Sequence, residues 1–139
     1  LCRRDRLLTG HTSAKTAMDG AAIDISARQD NIRVCDILGG AASEKLPAYY
    51  ASGIGDPEEI AELAKDKAKQ GYPRFQIKVG GRDIAIDIAV VRKVWEAVGY
   101  GIQLVVDANR GLTASQALRL CLACKDIPFV LEQHRSTIE

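Results

Sequence analysis

No run of apolar residues in this sequence approaches the ~20 needed to cross a bilayer, and neither charge sign dominates: 19 lysines and arginines stand against 18 aspartates and glutamates. The first absence excludes a membrane-spanning helix. The second, with basic residues scattered among acids rather than gathered into a stripe, leaves no surface suited to nucleic acid or an anionic membrane. No Gly-x-Gly-x-x-Gly or P-loop follows the first strand-like run, which argues against a doubly wound nucleotide-binding domain. Cysteines number four. Cys121-Leu-Ala-Cys124 has the spacing of half a zinc or redox site, yet no second Cys/His pair exists to close it. Cys121, on the apolar side of an expected helix, reads instead as a small core residue. There is no internal repeat and no low-complexity linker. Leu1-Cys2-Arg3-Arg4-Asp5 lacks the form of a signal peptide, and the chain opens without methionine. These features lead us to expect a cytoplasmic globular chain that is a fragment of a longer protein.

What is present is a regular alternation of strand-like and helix-like patterns from Leu46 onward, the signature of repeated βαβ units and a parallel sheet. Leu46 to Ser52 is the first expected strand. Asp56-Pro57-Glu58-Glu59 supplies an N-cap, a proline at N1 and a glutamate at N3, so a helix should run to about Gly71 on the stripe Ile60, Leu63, Ala64, Ala68. Phe75-Gln-Ile-Lys-Val79 is the second strand, with Phe75, Ile77 and Val79 on one face and Gln76 and Lys78 on the other. Asp83 opens a helix with the stripe Ile84, Ile88, Val91, Val94, Trp95, Val98. Gln103 to Asp107 is the third strand. Thr113-Ala-Ser-Gln116 has capping-box form for a helix to about Lys125, and Phe129 to Glu132 is the fourth strand. The strands recur roughly every 28 residues, near the ~31 per unit of an eight-unit barrel, although an open doubly wound sheet has a similar pitch. Before Leu46, Ser13 to about Ala27 reads as a helix in which Ala17, Ala21 and Ile25 suggest close packing. Val34 to Leu38 is a short helical turn stopped by Gly39-Gly40.

Three polar side chains stand where strands should be apolar: Lys78, Asp107 and Glu132. Alternation sends Leu104, Val106, Phe129 and Leu131 toward the helices, so Asp107, Asn109 and Glu132 point the other way, as Lys78 does. In parallel α/β architectures the carboxyl ends of the strands form the ligand-binding face, and all of these residues lie near such ends. Two carboxylates on adjacent strands suit a hard cation such as Mg²⁺. A lysine beside that cation should be shifted toward the neutral amine, a base able to remove a proton next to a carboxylate. Taken singly, each residue also has a plain structural role, as a solvated strand lysine or a turn-capping acid.

Ala14-Lys-Thr-Ala-Met-Asp-Gly-Ala-Ala-Ile-Asp-Ile25, Asp36-Ile-Leu-Gly-Gly40, Pro47-Ala-Tyr-Tyr-Ala-Ser-Gly53, Phe75-Gln-Ile-Lys-Val-Gly-Gly81, Val106-Asp-Ala-Asn-Arg-Gly111 and Leu131-Glu-Gln133 occur in an order and spacing that resembles the mandelate racemase/muconate lactonizing enzyme group of the enolase superfamily. Within that group the second and third strand motifs are similar to enzymes acting on proline derivatives, the cis-3-hydroxyproline dehydratases and proline-betaine epimerases. The resemblance implies that Lys78 is the base on one face of the substrate, and that Asp107 and Glu132 are the first two Mg²⁺ ligands. It places Asn109 beside the metal. Gln76 stands where many relatives carry a second lysine, which leaves it a polar supporting role. A third acidic ligand and an opposite-face lysine come from later strands in such enzymes and are absent from this chain.

The expected organisation is therefore α/β: residues 1–45 are the end of a helical capping-domain connection, 46–133 the amino-terminal half of a TIM-like (β/α)-barrel of about four units, and 134–139 an unmatched tail. The resemblance further implies a lyase or isomerase acting on a small-molecule carboxylate, within a homo-oligomeric parent. The isolated fragment should be inactive, because 139 residues cannot close a barrel of ~250. Sugar-acid dehydration and dipeptide epimerisation are alternatives in the same superfamily, and a non-catalytic, self-associating half-barrel is an alternative of another class.

Overall fold

The computed structural model describes residues 10–132, so the expected tail from His134 to Glu139 lies outside the described residues. The chain divides into two units, one ending at Leu46 and the other beginning at Pro47. Among the described residues no helix is long and apolar enough to cross a membrane.

The first unit contains α1 (Thr12–Gln29) and the single turn α2 (Val34–Ile37). The Asp36 carboxylate accepts from the Arg33 amide at 3.1 Å and from its guanidinium at 3.0 Å, fixing the start of α2. Gly39 and Gly40, with φ of 105° and 103°, end it in a left-handed conformation that a side chain would disfavour. The expected close packing of Ala17, Ala21 and Ile25 is not found: all three are exposed, Ile25 by 57%. Only Ala27 of α1 is buried. Small residues at helical spacing mark a face that can pack, and a four-residue helix offers too little surface to cover eighteen residues.

The second unit is a four-stranded parallel sheet, β1 (Tyr50–Ala51), β2 (Arg74–Lys78), β3 (Gln103–Asp107) and β4 (Phe129–Glu132), with neighbours in sequence order. Helices α3 (Pro57–Lys69), α4 (Ile84–Val98) and α5 (Ala114–Ala123) make the crossovers. A doubly wound sheet reverses strand order at its switch point, and these four strands do not. Phe75, Ile77, Leu104 and Val106 share one core with Ile60, Ala64, Val91, Val94, Ala117 and Leu120, so all three helices pack on the same side of the sheet. That is the wall of a barrel rather than the middle layer of a sandwich.

The local signals account for most boundaries. Asp83 accepts from the Ala85 amide at 2.9 Å as the cap of α4. The capping box at α5 closes in both directions, Gln116 N–H to Thr113 Oγ1 at 3.2 Å and Thr113 N–H to Gln116 Oε1 at 2.9 Å. Three expectations need correction. The first strand is two residues long instead of seven, because Pro47 has no N–H to give and β1 has a partner on one side only. It is held by packing, with the Tyr50 ring 6.0 Å from Phe75 and 5.8 Å from Tyr72. Asp56 precedes α3 in extended conformation but makes no side-chain cap. The fully buried cysteine is Cys124, which caps the end of α5, while Cys121 within the helix is half-buried. Burial pushes the Cys124 thiol upward, so it behaves as a neutral core residue.

Candidate active site

The strand register decides which side chains meet. Lys78 pairs with Asp107 and Asp107 with Glu132, so the three residues form one row across the carboxyl ends of β2, β3 and β4. Residues in register on parallel strands point to the same side, and here that is the side away from the helices. Two residues back, and so on the same face, Gln76 is in register with Val105.

Asp107 is the centre of this row. It is 3% exposed. Its Oδ2 accepts from Lys78 Nζ at 2.5 Å, from Gln76 Nε2 at 2.5 Å and from Asn109 Nδ2 at 3.1 Å, while Oδ1 accepts from the Asn109 amide at 2.9 Å. Lys78 Nζ also donates to Asn109 Oδ1 at 2.9 Å. Burial alone would raise the Asp107 carboxyl, but the Lys78 hydrogen bond, the Asn109 amide, the Lys78 charge and Gln76 together hold it below the usual carboxylate range. Glu132 is half-buried, and no described residue pairs with its carboxylate.

The backbone around Asp107 is bent to make this possible. Asn109 and Arg110 both adopt left-handed φ values, 43° and 68°, and Gly111 N–H returns to the Ala108 carbonyl at 2.7 Å. Asparagine tolerates that region, whereas for Arg110 it costs about 1–2 kcal/mol. The turn folds the Asn109 amide and side chain onto the Asp107 carboxylate. On the neighbouring loop Gly80, at φ 98°, lies so close to Gly111 that a Cβ would meet its backbone at 3.3 Å.

All five residues singled out from the sequence, Lys78, Asp107, Glu132, Asn109 and Gln76, lie on β2, β3, β4 or the turn after β3, and four of them are hydrogen-bonded to one another. Sequence reading missed two neighbours. Ser52, 5% exposed, accepts the Lys78 amide at 3.3 Å through its hydroxyl. Asp87, fully buried on α4, binds the Gly80 amide at 2.8 Å and Arg82 Nε at 2.6 Å. The available signal for Asp87 was its place three residues after Ile84 and four before Val91, on the buried stripe.

The donors suit a hard divalent cation. Carboxylates stand side by side on β3 and β4, Glu132 has no partner among the described residues, and two acids against one lysine leave an excess of negative charge. Among the described residues no group of three or more His, Cys, Asp or Glu comes together. The two acids thus fit a partial shell of the kind Mg²⁺ accepts when waters and substrate oxygens fill the rest.

Sheet and rim together define a parallel α/β protein whose polar residues gather at the carboxyl ends of its strands. The chain belongs to the enolase C-terminal domain-like family, whose model matches residues 59–135. It is 35% identical over 126 residues to the L-Ala-D/L-Glu epimerase of Bacillus subtilis, covering 91% of this chain and 34% of that protein. It is 33% identical over 135 residues to the cis-3-hydroxy-L-proline dehydratase of Roseibium aggregatum, covering 97% and 36%. A solved dipeptide epimerase from Enterococcus faecalis V583, complexed with Mg and the dipeptide L-Leu-L-Tyr, matches with a TM-score of 0.80 at 30% identity, over 95% of this chain and 37% of that one. The relatives are enzymes of the mandelate racemase/muconate lactonizing group: epimerases, a racemase, cycloisomerases and a dehydratase. The second unit is accordingly part of a (β/α)-barrel. The chain spans about a third of the length of the curated relatives it matches.

Proposed function

We propose that this chain carries the proton-abstracting side of an active site that removes the α-proton of a carboxylate substrate with the help of Mg²⁺. Lys78 is the base, and Asp107 and Glu132 are the chain's metal ligands. The observation that carries this reading is the row of Lys78, Asp107 and Glu132, with the amine 2.5 Å from the central acid. Asp107 and Glu132 would hold Mg²⁺ at the rim, where the cation would supply charge stabilisation for a substrate carboxylate losing its α-proton. Asn109 and Gln76 both donate to the Asp107 carboxylate, and Asn109 also accepts from the Lys78 amine, so the two hold that acid and base together. Residues 1–45 would then be the end of a capping-domain connection, a boundary one residue from the division of the chain at Leu46.

The outcome of the reaction, dehydration or racemisation, depends on what stands on the opposite face of the substrate. The motifs Phe75 to Gly81 and Val106 to Gly111 favour a proline derivative. A dipeptide is the second reading, supported by the 35% identity to the L-Ala-D/L-Glu epimerase of Bacillus subtilis. The deciding experiment is turnover, and α-proton exchange into D₂O, by the full-length enzyme containing this chain. Proline derivatives and dipeptides should be offered side by side. Lys78→Ala is expected to lower both rates by about 10²–10⁴-fold, and a variant that exchanges the α-proton at the parent rate would end the reading.

A further inference from the structure

The α4 helix buries a carboxylate that the chemistry above does not use. Asp87 is 0% exposed, on the stripe that otherwise holds Ile84, Val90, Val91 and Val94. Both of its oxygens are engaged: Oδ2 accepts the Gly80 amide at 2.8 Å, and Oδ1 accepts Arg82 Nε at 2.6 Å. Arg82 Nη1 continues to the Gly55 carbonyl at 2.8 Å. One acid therefore ties the loop after β2 to the loop after β1. The same Gly80 packs against Gly111, in the turn that carries Asn109. Three successive loops at the carboxyl ends of the strands are joined through this point, and Lys78 lies two residues before it.

Stability alone is a poor account of this arrangement. A buried ion pair often contributes no more than a well-packed apolar pair of the same size. Here one guanidinium nitrogen, Arg82 Nη2, is also buried without a partner among the described residues, which costs free energy. What the pair does supply is direction. Gly80 has left-handed φ and no side chain, so its position is set by the hydrogen bond its N–H donates to Asp87 and by its contact with Gly111. Val79, between Lys78 and Gly80, donates its amide to the Asp107 carbonyl at 3.0 Å. A shift at Gly80 is therefore passed to the strand end at which the Lys78 amine meets Asp107.

We infer that Asp87, braced by Arg82, is a positioning residue: its buried carboxylate fixes Gly80 and thereby sets the geometry of the Lys78–Asp107 pair. Because this role rests on Lys78 acting as the base, it is best read without turnover, on the ¹⁵N/¹³C-labelled full chain. Asp87→Asn is expected to speed hydrogen exchange at the Gly80 amide about tenfold or more beyond any global loss of stability. It should also move the Lys78 side-chain nitrogen and Asp107 carboxyl resonances. Val94→Ala, a core truncation with no link to Gly80, is the control. It should lower denaturant stability while leaving the Lys78 and Asp107 resonances in place, as a merely structural Asp87 also would. If Asp87→Asn does not fold, Arg82→Lys keeps the charge, gives up the reach to Gly55 and should move the same two resonances by a smaller amount. Unmoved Lys78 and Asp107 signals in whichever of these variants folds overturn the role. Moved signals together with intact turnover in Lys78→Ala would leave Asp87 as a positioning residue and sink the functional reading instead.

Discussion

Asp107 is the residue on which the rim depends, and its protonation state gives the rim a pH dependence that can be worked out. Its carboxyl lies below the usual range because Lys78, the Asn109 amide and Gln76 outweigh the effect of burial. As pH falls, the unfolded chain takes up this proton first, near ~3.9, and the folded chain only at a lower pH. The stabilisation is thus fully present above the unfolded value and is lost as pH falls through the folded one. Urea melts at about pH 6 and about pH 3 should show a smaller acid loss in Asp107→Asn than in the parent. A carboxyl ¹³C titration placing Asp107 at or above the ordinary aspartate value would contradict this. The row of Lys78, Asp107 and Glu132 was legible because a charged side chain in an otherwise apolar strand violates alternation, and parity alone then fixes its face. Asp87 was not legible in the same way. An acid in the first turn of a helix is ordinary at the surface, and only the fold shows that Gly80 and Arg82 await it inside.

At the scale of elements, helix starts were read more faithfully than packing faces, and the reason is the range of the forces involved. Thr113 and Gln116 satisfy each other's backbone within a single turn, so four residues suffice to specify the start of α5. Thr113→Ala should cost about 1 kcal/mol, seen as a lower urea midpoint at unchanged slope. Gln116→Ala should add little on top, because one box is broken once. Full additivity of the two would mean that the caps act independently. The buried stripe of α4, in contrast, depends on partners far along the chain. Ile88 and Trp95 belong to an apolar stripe by spacing, yet they are half-buried, while Asp87 and Val90 are buried outright. Hydrophobic periodicity locates a face only to within about one residue's rotation, and a buried hydrogen-bonded acid is invisible to it. The brevity of β1 has a similar origin, since a strand at an edge extends only as far as its single neighbour and its own donors allow.

At the scale of the whole molecule, four parallel strands in sequential order have two edges, β1 and β4. An eight-stranded barrel removes its edges by closing on itself, and four strands cannot. The β1 edge is two residues long and bounded by Pro47, which limits pairing there. The β4 edge has no such protection: Phe129–Glu132 runs without proline, and Val130 is 48% exposed on the side of the sheet shared with Glu132. Unpaired strand backbone beside an exposed apolar side chain is a template for another chain. The 139-residue chain should therefore sediment as a concentration-dependent mixture of monomer and larger species, and Val130→Lys should shift it toward monomer, since an edge lysine resists strand pairing. The far-ultraviolet circular dichroism of that variant should stay unchanged, because a half-exposed position on an edge strand carries little of the core. Association that persists undiminished in Val130→Lys would place the contact elsewhere, and the exposed apolar residues of α5, Leu118 at 60% and Leu122 at 63%, would then be the surface to alter next.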